Sequence, residues 1–286
     1  DHHQQSLIVM RSLGTAYVEL QRWPEAQVVL DLALDGFKDL YGESHLDVWL
    51  TRDRLGRVLA GTGKRSKATR ELEAAYTALG EILGADHIAT CDVRSSLIKV
   101  LLDRGKFKDA EPLLQKSLQS SIDRFGQDDP SVFVLRNNIG YSFEQQGKFA
   151  EAEAAYREAH AALDRTVGPK HRNTLTSLGN VGVMLFSQQK YAEAIPVLEE
   201  SLAGKQEVLG SSNPETLAIH WPLAQCLQAE GRLEEACAAW FLLKEEAERS
   251  DGVDSPRKVT ATASLAMCLE GLGRLQESQV EILDCW

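Results

Sequence analysis

The sequence predicts an all-α solenoid of stacked helix-turn-helix units, and three observations predict it. A small residue returns every 42 positions, at Ala26, Ala68, Ala110, Ala152, Ala194, Ala236 and Ser278. A glycine column (Gly42, Gly84, Gly126, Gly168, Gly210, Gly252) and an aliphatic column (Leu13, Leu55, Leu97, Ile139, Val181, Leu223, Leu265) keep the same period without insertion. Self-similarity at this length marks a repeat architecture in which each unit buries its apolar face only against its neighbours. Spacing inside the unit is helical, period-two strands are absent and no Trp-Asp pair closes a unit, which argues against a β-propeller of similar period.

The units run 1–42, 43–84, 85–126, 127–168, 169–210, 211–252 and 253–286, one array across the 286 residues. In the first, Leu13, Gly14 and Tyr17 fall at helical spacing. Gln21-Arg22 then makes a polar break, and Ala26, Leu30 and Ala33 form a second helical stripe. The second unit has Arg65 where Trp23, Phe107, Phe149 and Tyr191 stand in others. The third starts its second helix through Lys106-Phe107-Lys108-Asp109-Ala110 and has Ile98 in a column of small residues. The fourth repeats the design with Ile139, Gly140 and Phe143, the turn Gly147-Lys148, then Ala152, Tyr156 and Ala159. The fifth carries Gly182 and Ala194 in the matching places.

Pro222 is the irregularity of the sixth unit. Lacking an amide hydrogen inside a first helix, it predicts a kink or a delayed start. The seventh unit ends with Trp286 in its second helix. His3 shares the column of His45, His87 and His171, which places the first residues in an inter-unit linker. The chain therefore reads as a piece cut from a longer polypeptide.

Small residues at Gly14, Gly56, Gly140, Gly182, Ala224 and Ala266 predict close helix crossings of about 8–10 Å. The alanine column is expected to supply the opposite side of each crossing. Ile98 predicts a wider crossing in the third unit. Arg52, Arg94 and Arg136 share one column with Met10 and Leu178, so their stems are expected to pack between hairpins, paired with acids such as Asp53 and Asp92. A clamp for an acidic partner is the alternative role of this ladder.

Composition excludes several function classes. A formal net charge of −11 argues against general nucleic-acid binding. No apolar run approaches the roughly 18 residues of a membrane span, and no leader is visible, so a cytoplasmic, reducing location is expected. Five scattered cysteines, with Cys226 and Cys268 one repeat apart in the column of Met184, fit ordinary packing. The linker histidines are expected to hold turns by hydrogen bonding and not to bind metal. No phosphate-cradling loop or catalytic constellation is present, so no cofactor, no metal and no enzymatic activity are expected.

The Leu-Gly-x-x-Tyr pattern of Leu13–Tyr17, the paired alanines and the Gly147-Lys148-Phe149-Ala150-Glu151-Ala152 turn resemble the tetratricopeptide repeat (TPR). The usual TPR has about 34 residues. The longer unit here has linkers such as Gly168-Pro169-Lys170-His171 and Leu209-Gly210-Ser211-Ser212-Asn213-Pro214, and is similar to the repeats of kinesin light chains. The resemblance implies a right-handed superhelical solenoid of seven TPR units whose first helices line a concave groove. Arg54, Arg57, Lys99, Asn137, Asn138, Tyr141, Asn180, Trp221 and Gln225 then become the candidate peptide-binding residues. Arg11, Ser12, Ser95, Ser96, Thr176 and Met267 share that lining.

Each residue type has a chemical reason. Asparagine offers a donor and an acceptor together, suited to a peptide backbone, and Asn138 and Asn180 match the peptide-contacting asparagine of the family. Arg54 and Arg57 suit carboxylates, while Tyr141 and Trp221 suit apolar anchors. The expected function is a non-enzymatic scaffold binding an extended, partly acidic peptide segment of a protein partner. The alternative is a regulatory or self-assembly module of a larger signalling protein driven by a kinase or a nucleotide switch.

Overall fold

The computed structural model describes residues 2–251 and 255–283; Gly252, Cys285 and Trp286 lie outside the described residues. Among those described, the regular structure is helical and no strand is present. The helices are α1 (His2–Glu19), α2 (Trp23–Tyr41), α3 (Leu46–Gly61), α4 (Arg65–Leu83), α5 (Ile88–Asp103), α6 (Phe107–Phe125) and α7 (Pro130–Gln145), followed by α8 (Phe149–Val167), α9 (Arg172–Ser187), α10 (Tyr191–Leu209), α11 (Pro214–Ala229), α12 (Leu233–Asp251), α13 (Pro256–Gly271) and α14 (Leu275–Leu283). They pair into seven hairpins, α1 with α2 through α13 with α14. The packing forms two compact units, Asp1–Gly126 with three hairpins and Gln127–Trp286 with four, and the 42-residue register passes from one to the other unchanged.

Local chemistry sets the helix ends. Each first helix closes with a left-handed residue at the same column, Gly63, Gly105, Gly147, Gly231 and Gly273, but Gln21 and Gln189 in two copies. A backbone N–H one residue on reaches back five positions, as Lys64 does to Leu59 and Lys148 to Phe143, at 2.8 and 3.0 Å. That bond is the signature of a Schellman motif. Only glycine adopts the left-handed state without steric cost, so the two glutamines are the strained copies.

The histidine column proves to be a capping column. His45, His87 and His171 each accept through Nδ1 the N–H of the residue two positions on, at 3.2–3.3 Å. Asp129, Asn213 and Ser255 do the same in the other copies. A side chain accepting a free first-turn N–H is an N-cap, worth about 1 kcal/mol. His3 differs, since α1 already includes it, so the expected linker at the start is helix.

The crossings are close for a different reason from the one expected. A Cβ added at Gly56, Gly140 or Gly182 would meet Leu72, Tyr156 or Leu198 at 2.5–2.7 Å. The glycine therefore makes room for the large residue four positions past the alanine and not for the alanine itself. The alanines are fully buried all the same. Where Ile98 replaces the glycine, α5 and α6 form the least closely packed hairpin. Pro222 sits buried within α11, which starts at Pro214 in register with the other first helices, so no delayed start occurs.

The aliphatic column is buried in six copies, at 8% exposure or less, but Leu13 is 44% exposed. Within each unit this residue packs toward the second helix of the preceding hairpin: Leu55 shares a core with Ala26 and Leu30, and Leu265 with Cys237 and Trp240. Among the described residues α1 has no such neighbour. In the larger unit the two bulkiest second-helix residues have polar ends that are satisfied within their own hairpins. Tyr156 Oη donates to Glu144 at 2.9 Å and Trp240 Nε1 to Gln228 at 3.1 Å. Burial raises the Cys226 thiol to about 11 and the Cys268 thiol to about 12, leaving them as protonated packing groups.

Candidate functional site

In the N-terminal unit the candidate residues lie on α3 and α5. Arg54 and Arg57 sit beside Asp53, whose carboxylate is 2% exposed, at 2.5 and 3.3 Å. Burial pushes the Asp53 carboxyl above its usual range against the pull of Arg57 and Arg54, and burial likewise lowers Arg54. Both guanidiniums are thus occupied by an internal acid. Arg11 is held in the same way by Asp47. The hydroxyls of Ser12, Ser95 and Ser96 donate to carbonyls of their own helices. Lys99 remains exposed.

The C-terminal ends of α1, α3 and α5 enclose a pocket of about 450 Å³ lined by Trp23, Arg57, Ser96 and Lys99, with Glu19 and Asp103 on the same walls. Two cations and two acids leave this pocket mixed in charge. Trp23 opens α2, in the column that Arg65 occupies in the second unit. It reaches across to α3, where a Cβ added to Gly61 would meet its ring at 2.6 Å.

The arginine ladder divides into three environments. Arg52 pairs with Glu43 and Glu71 and lies 4.8 Å over the Trp49 ring. Arg136 lies 3.3 Å from Glu158. Arg94 is 2% exposed and reaches only Cys91 and Ser120 through Nη2, while its Nε and Nη1 have no partner. The structural role expected for the ladder holds, but Asp53 and Asp92 are not its partners.

In the C-terminal unit α7 and α9 bring the asparagines together. Asn180 Nδ2 points to Asn137 Oδ1 at 3.5 Å, and Asn138 beside them is half-buried. At 3.5 Å that bond is weak, so both amides keep most of their capacity for another partner. Asn137 also borders a pocket of about 440 Å³ with apolar walls from Phe133, Val134, Leu163 and Val167, and with Thr176 at its edge. Thr176 donates to Arg172 O and to Glu215, a carboxyl that Arg172 holds below its usual range.

Those apolar walls escaped the sequence reading. A signal existed: Tyr41, Leu83, Phe125, Val167 and Leu209 all directly precede the linker glycine. Tyr141 is 41% exposed on α7 and Met267 62% on α13, while Gln225 is half-buried. Trp221 is half-buried. Its ring and that of Trp240 make an edge-to-face pair, centroids 5.1 Å apart, at the border of the core.

A second cavity of this unit, about 460 Å³, lies beside His220, with Leu217, Leu242, Glu245 and Glu246 on its walls. Burial lowers the pKa of His220 from 6.5. The unfolded chain therefore takes up a proton at this residue at higher pH than the folded one. Stability from His220 is complete above about pH 6.5 and is lost as pH falls from there through the lowered value. Thermal melts between neutral pH and about pH 5 should show this decline, and His220→Leu should flatten it. An identical decline in the variant would exclude His220 as its source.

Among the described residues no helix is long and apolar enough to cross a membrane, and no group of three His, Cys, Asp or Glu side chains is placed to hold a metal. Family models of the tetratricopeptide repeat match residues 99–131, 131–207 and 182–243, together about half the chain. No curated protein matches in sequence. Among solved structures, the kinesin-light-chain TPR-like repeats of Podosopora anserina are 20% identical, covering 72% of this chain and 99% of that one at a TM-score of 0.60. BtubC from P. vanneervenii is 21% identical over 86% of this chain and 93% of its own, also at 0.60. A signal transduction ATPase with a tetratricopeptide repeat sensor, from Pyrococcus horikoshii, is 13% identical with a TM-score of 0.74. It is matched over 99% of this chain, which spans 41% of its length. At these identities the likeness is one of fold.

Proposed function

The chain belongs to the tetratricopeptide repeat family, and we propose that it is a non-enzymatic scaffold that holds an extended peptide segment of a protein partner along its first helices. TPR domains are in general protein–protein interaction modules. The observation that carries the peptide reading is the Asn137–Asn180 pair, two amides with spare donors and acceptors beside an apolar pocket. An amide pair reads a peptide backbone whatever its side chains, and the pocket of Phe133, Val134, Leu163 and Val167 takes one apolar side chain. Asn138 and Tyr141 extend this surface on the same helix.

Preference for acidic residues is the weaker part of the proposal. Arg54 and Arg57 are engaged by Asp53, which leaves Lys99 as the cation that meets a ligand carboxylate in the pocket of the N-terminal unit. Glu19 and Asp103 reduce its pull.

Peptide-array screening followed by titration calorimetry tests both parts. Asn137→Ala with Asn180→Ala should weaken every peptide ligand by about tenfold, the loss expected when one or two net hydrogen bonds go. Lys99→Glu should weaken acidic ligands only, and more at low salt. Absence of any micromolar peptide ligand would end the proposal. Unchanged affinity in the asparagine double variant would remove its backbone-reading half.

A further inference from the structure

Two columns of the register become charged in one place only. The column of Arg57 and Lys99 holds Thr15, Tyr141, Val183, Gln225 and Met267 in the other copies. Four positions on, the column of Glu19 and Asp103 holds Gly61, Gln145, Ser187, Ala229 and Gly271. All four charged members line the pocket of about 450 Å³ between α1, α3 and α5. Its walls come from three successive hairpins, so it lies inside the array.

The second of these columns is the last residue of each first helix. The negative end of a helix dipole disfavours an acid at that place, yet α1 ends on Glu19 and α5 on Asp103. Both carboxylates are exposed, as is Lys99, and among the described residues none of the three has an ion-pair partner. Neither acid therefore serves its own helix or a neighbouring cation. Gly61 stands between them in the column, and the Trp23 ring takes the space a side chain would fill, 2.6 Å from an added Cβ. The pocket gains an aromatic wall in this way, beside Val18, Leu72 and Val100, none more than 7% exposed.

The charges are ordered along the helices. Arg57 and Lys99 stand four residues, about 6 Å along the axis, before the level of the acids. Glu19, Asp103 and three negative dipole ends make up one level, and the cations make up the other. Arg57 is tied through Nε to Asp53 at 3.3 Å, which leaves the ammonium of Lys99 for a ligand. A simple anion or cation meets repulsion from one of the two levels, whereas a molecule carrying both charges meets attraction from each. From this ordering we infer that the pocket binds a small zwitterion, a free α-amino acid with an apolar side chain. Its ammonium sits between Glu19 and Asp103, its carboxylate on Lys99, and its side chain against Trp23 and the neighbouring aliphatics. A peptide end carries only one of the two charges and matches the pocket less well. The inference keeps the role given to Lys99 above and stands apart from the Asn137–Asn180 pair, which belongs to the other unit.

Titration calorimetry of the 286-residue chain with leucine and with phenylalanine should show saturable binding. Acetyl-leucine, which lacks the ammonium, and leucinamide, which lacks the carboxylate, should each bind about tenfold more weakly. Lys99→Gln should remove most of the preference for leucine over leucinamide and keep the preference over acetyl-leucine. Glu19→Gln combined with Asp103→Asn should do the reverse. These side chains are exposed, so circular dichroism of every variant should match the parent. No saturable binding of either amino acid, blocked forms that bind as tightly, or preferences that survive in the variants would overturn the inference. Any of these results leaves the peptide reading standing, because the asparagine double variant tests that reading separately.

Discussion

Replacing Trp240 by alanine is expected to destabilise the C-terminal unit by about 3–5 kcal/mol, the range for truncating a buried aromatic residue. Trp240 is 1% exposed and belongs to the core cluster that runs through α8 to α13 of the C-terminal unit. Its loss opens a cavity and removes the edge-to-face partner of Trp221. It also leaves the Gln228 side chain without the indole N–H that it accepts at 3.1 Å. Because neighbouring hairpins share this core, the damage spreads to α11 and α13. Urea unfolding followed by helical signal measures the loss; Trp240→Phe, which keeps most of the volume, should cost clearly less. A deficit under about 1 kcal/mol for the alanine variant would contradict the packing described.

The second expectation has the opposite sign. Arg94→Met should make the protein more stable, by about 1–3 kcal/mol, because a buried guanidinium with unmade hydrogen bonds is costly and an apolar residue of similar length is not. Arg94 Nε and Nη1 lack hydrogen-bond partners, and its Nη2 reaches only Cys91 and Ser120. Met10 occupies the same column and packs against the core of the first hairpin, so the register accommodates methionine. Arg52→Met is the control. Arg52 has Glu43, Glu71 and the Trp49 ring as partners, and its loss should cost up to about 1 kcal/mol. Equal effects at both positions would show that the missing partners of Arg94 do not matter.

These two sites differ in how much of them was legible beforehand. The alanine and glycine columns located every hairpin, and the linker histidines His45, His87 and His171 could be read as a turn device before any coordinates, whereas Asp129, Asn213 and Ser255 show themselves as caps of the same column only in the structure. The Ile98 position likewise announced the loosest hairpin. The candidate groove was legible as a set of positions but not as chemistry. The sequence places Asp53 near Arg54 and Arg57, but only the structure shows that it is buried and engages both guanidiniums. The edge-to-face pairing of Trp221 with Trp240, 19 residues away, is likewise visible only in the structure.

What could be read from the chain alone was whatever depends on residues a few positions apart. Helix period, Schellman turns, N-caps and the 42-residue register all arise from near neighbours along the backbone, so the order of residues is enough to specify them. Burial and neutralisation are settled by side chains that meet across hairpins. Arg11 finds Asp47 and Asn180 finds Asn137, 36 and 43 positions apart. Leu13, identical in pattern to six buried relatives, is exposed because among the described residues no second helix of another hairpin lies beside α1. The cost of desolvating a group depends on everything packed around it, and only the folded chain brings those neighbours together.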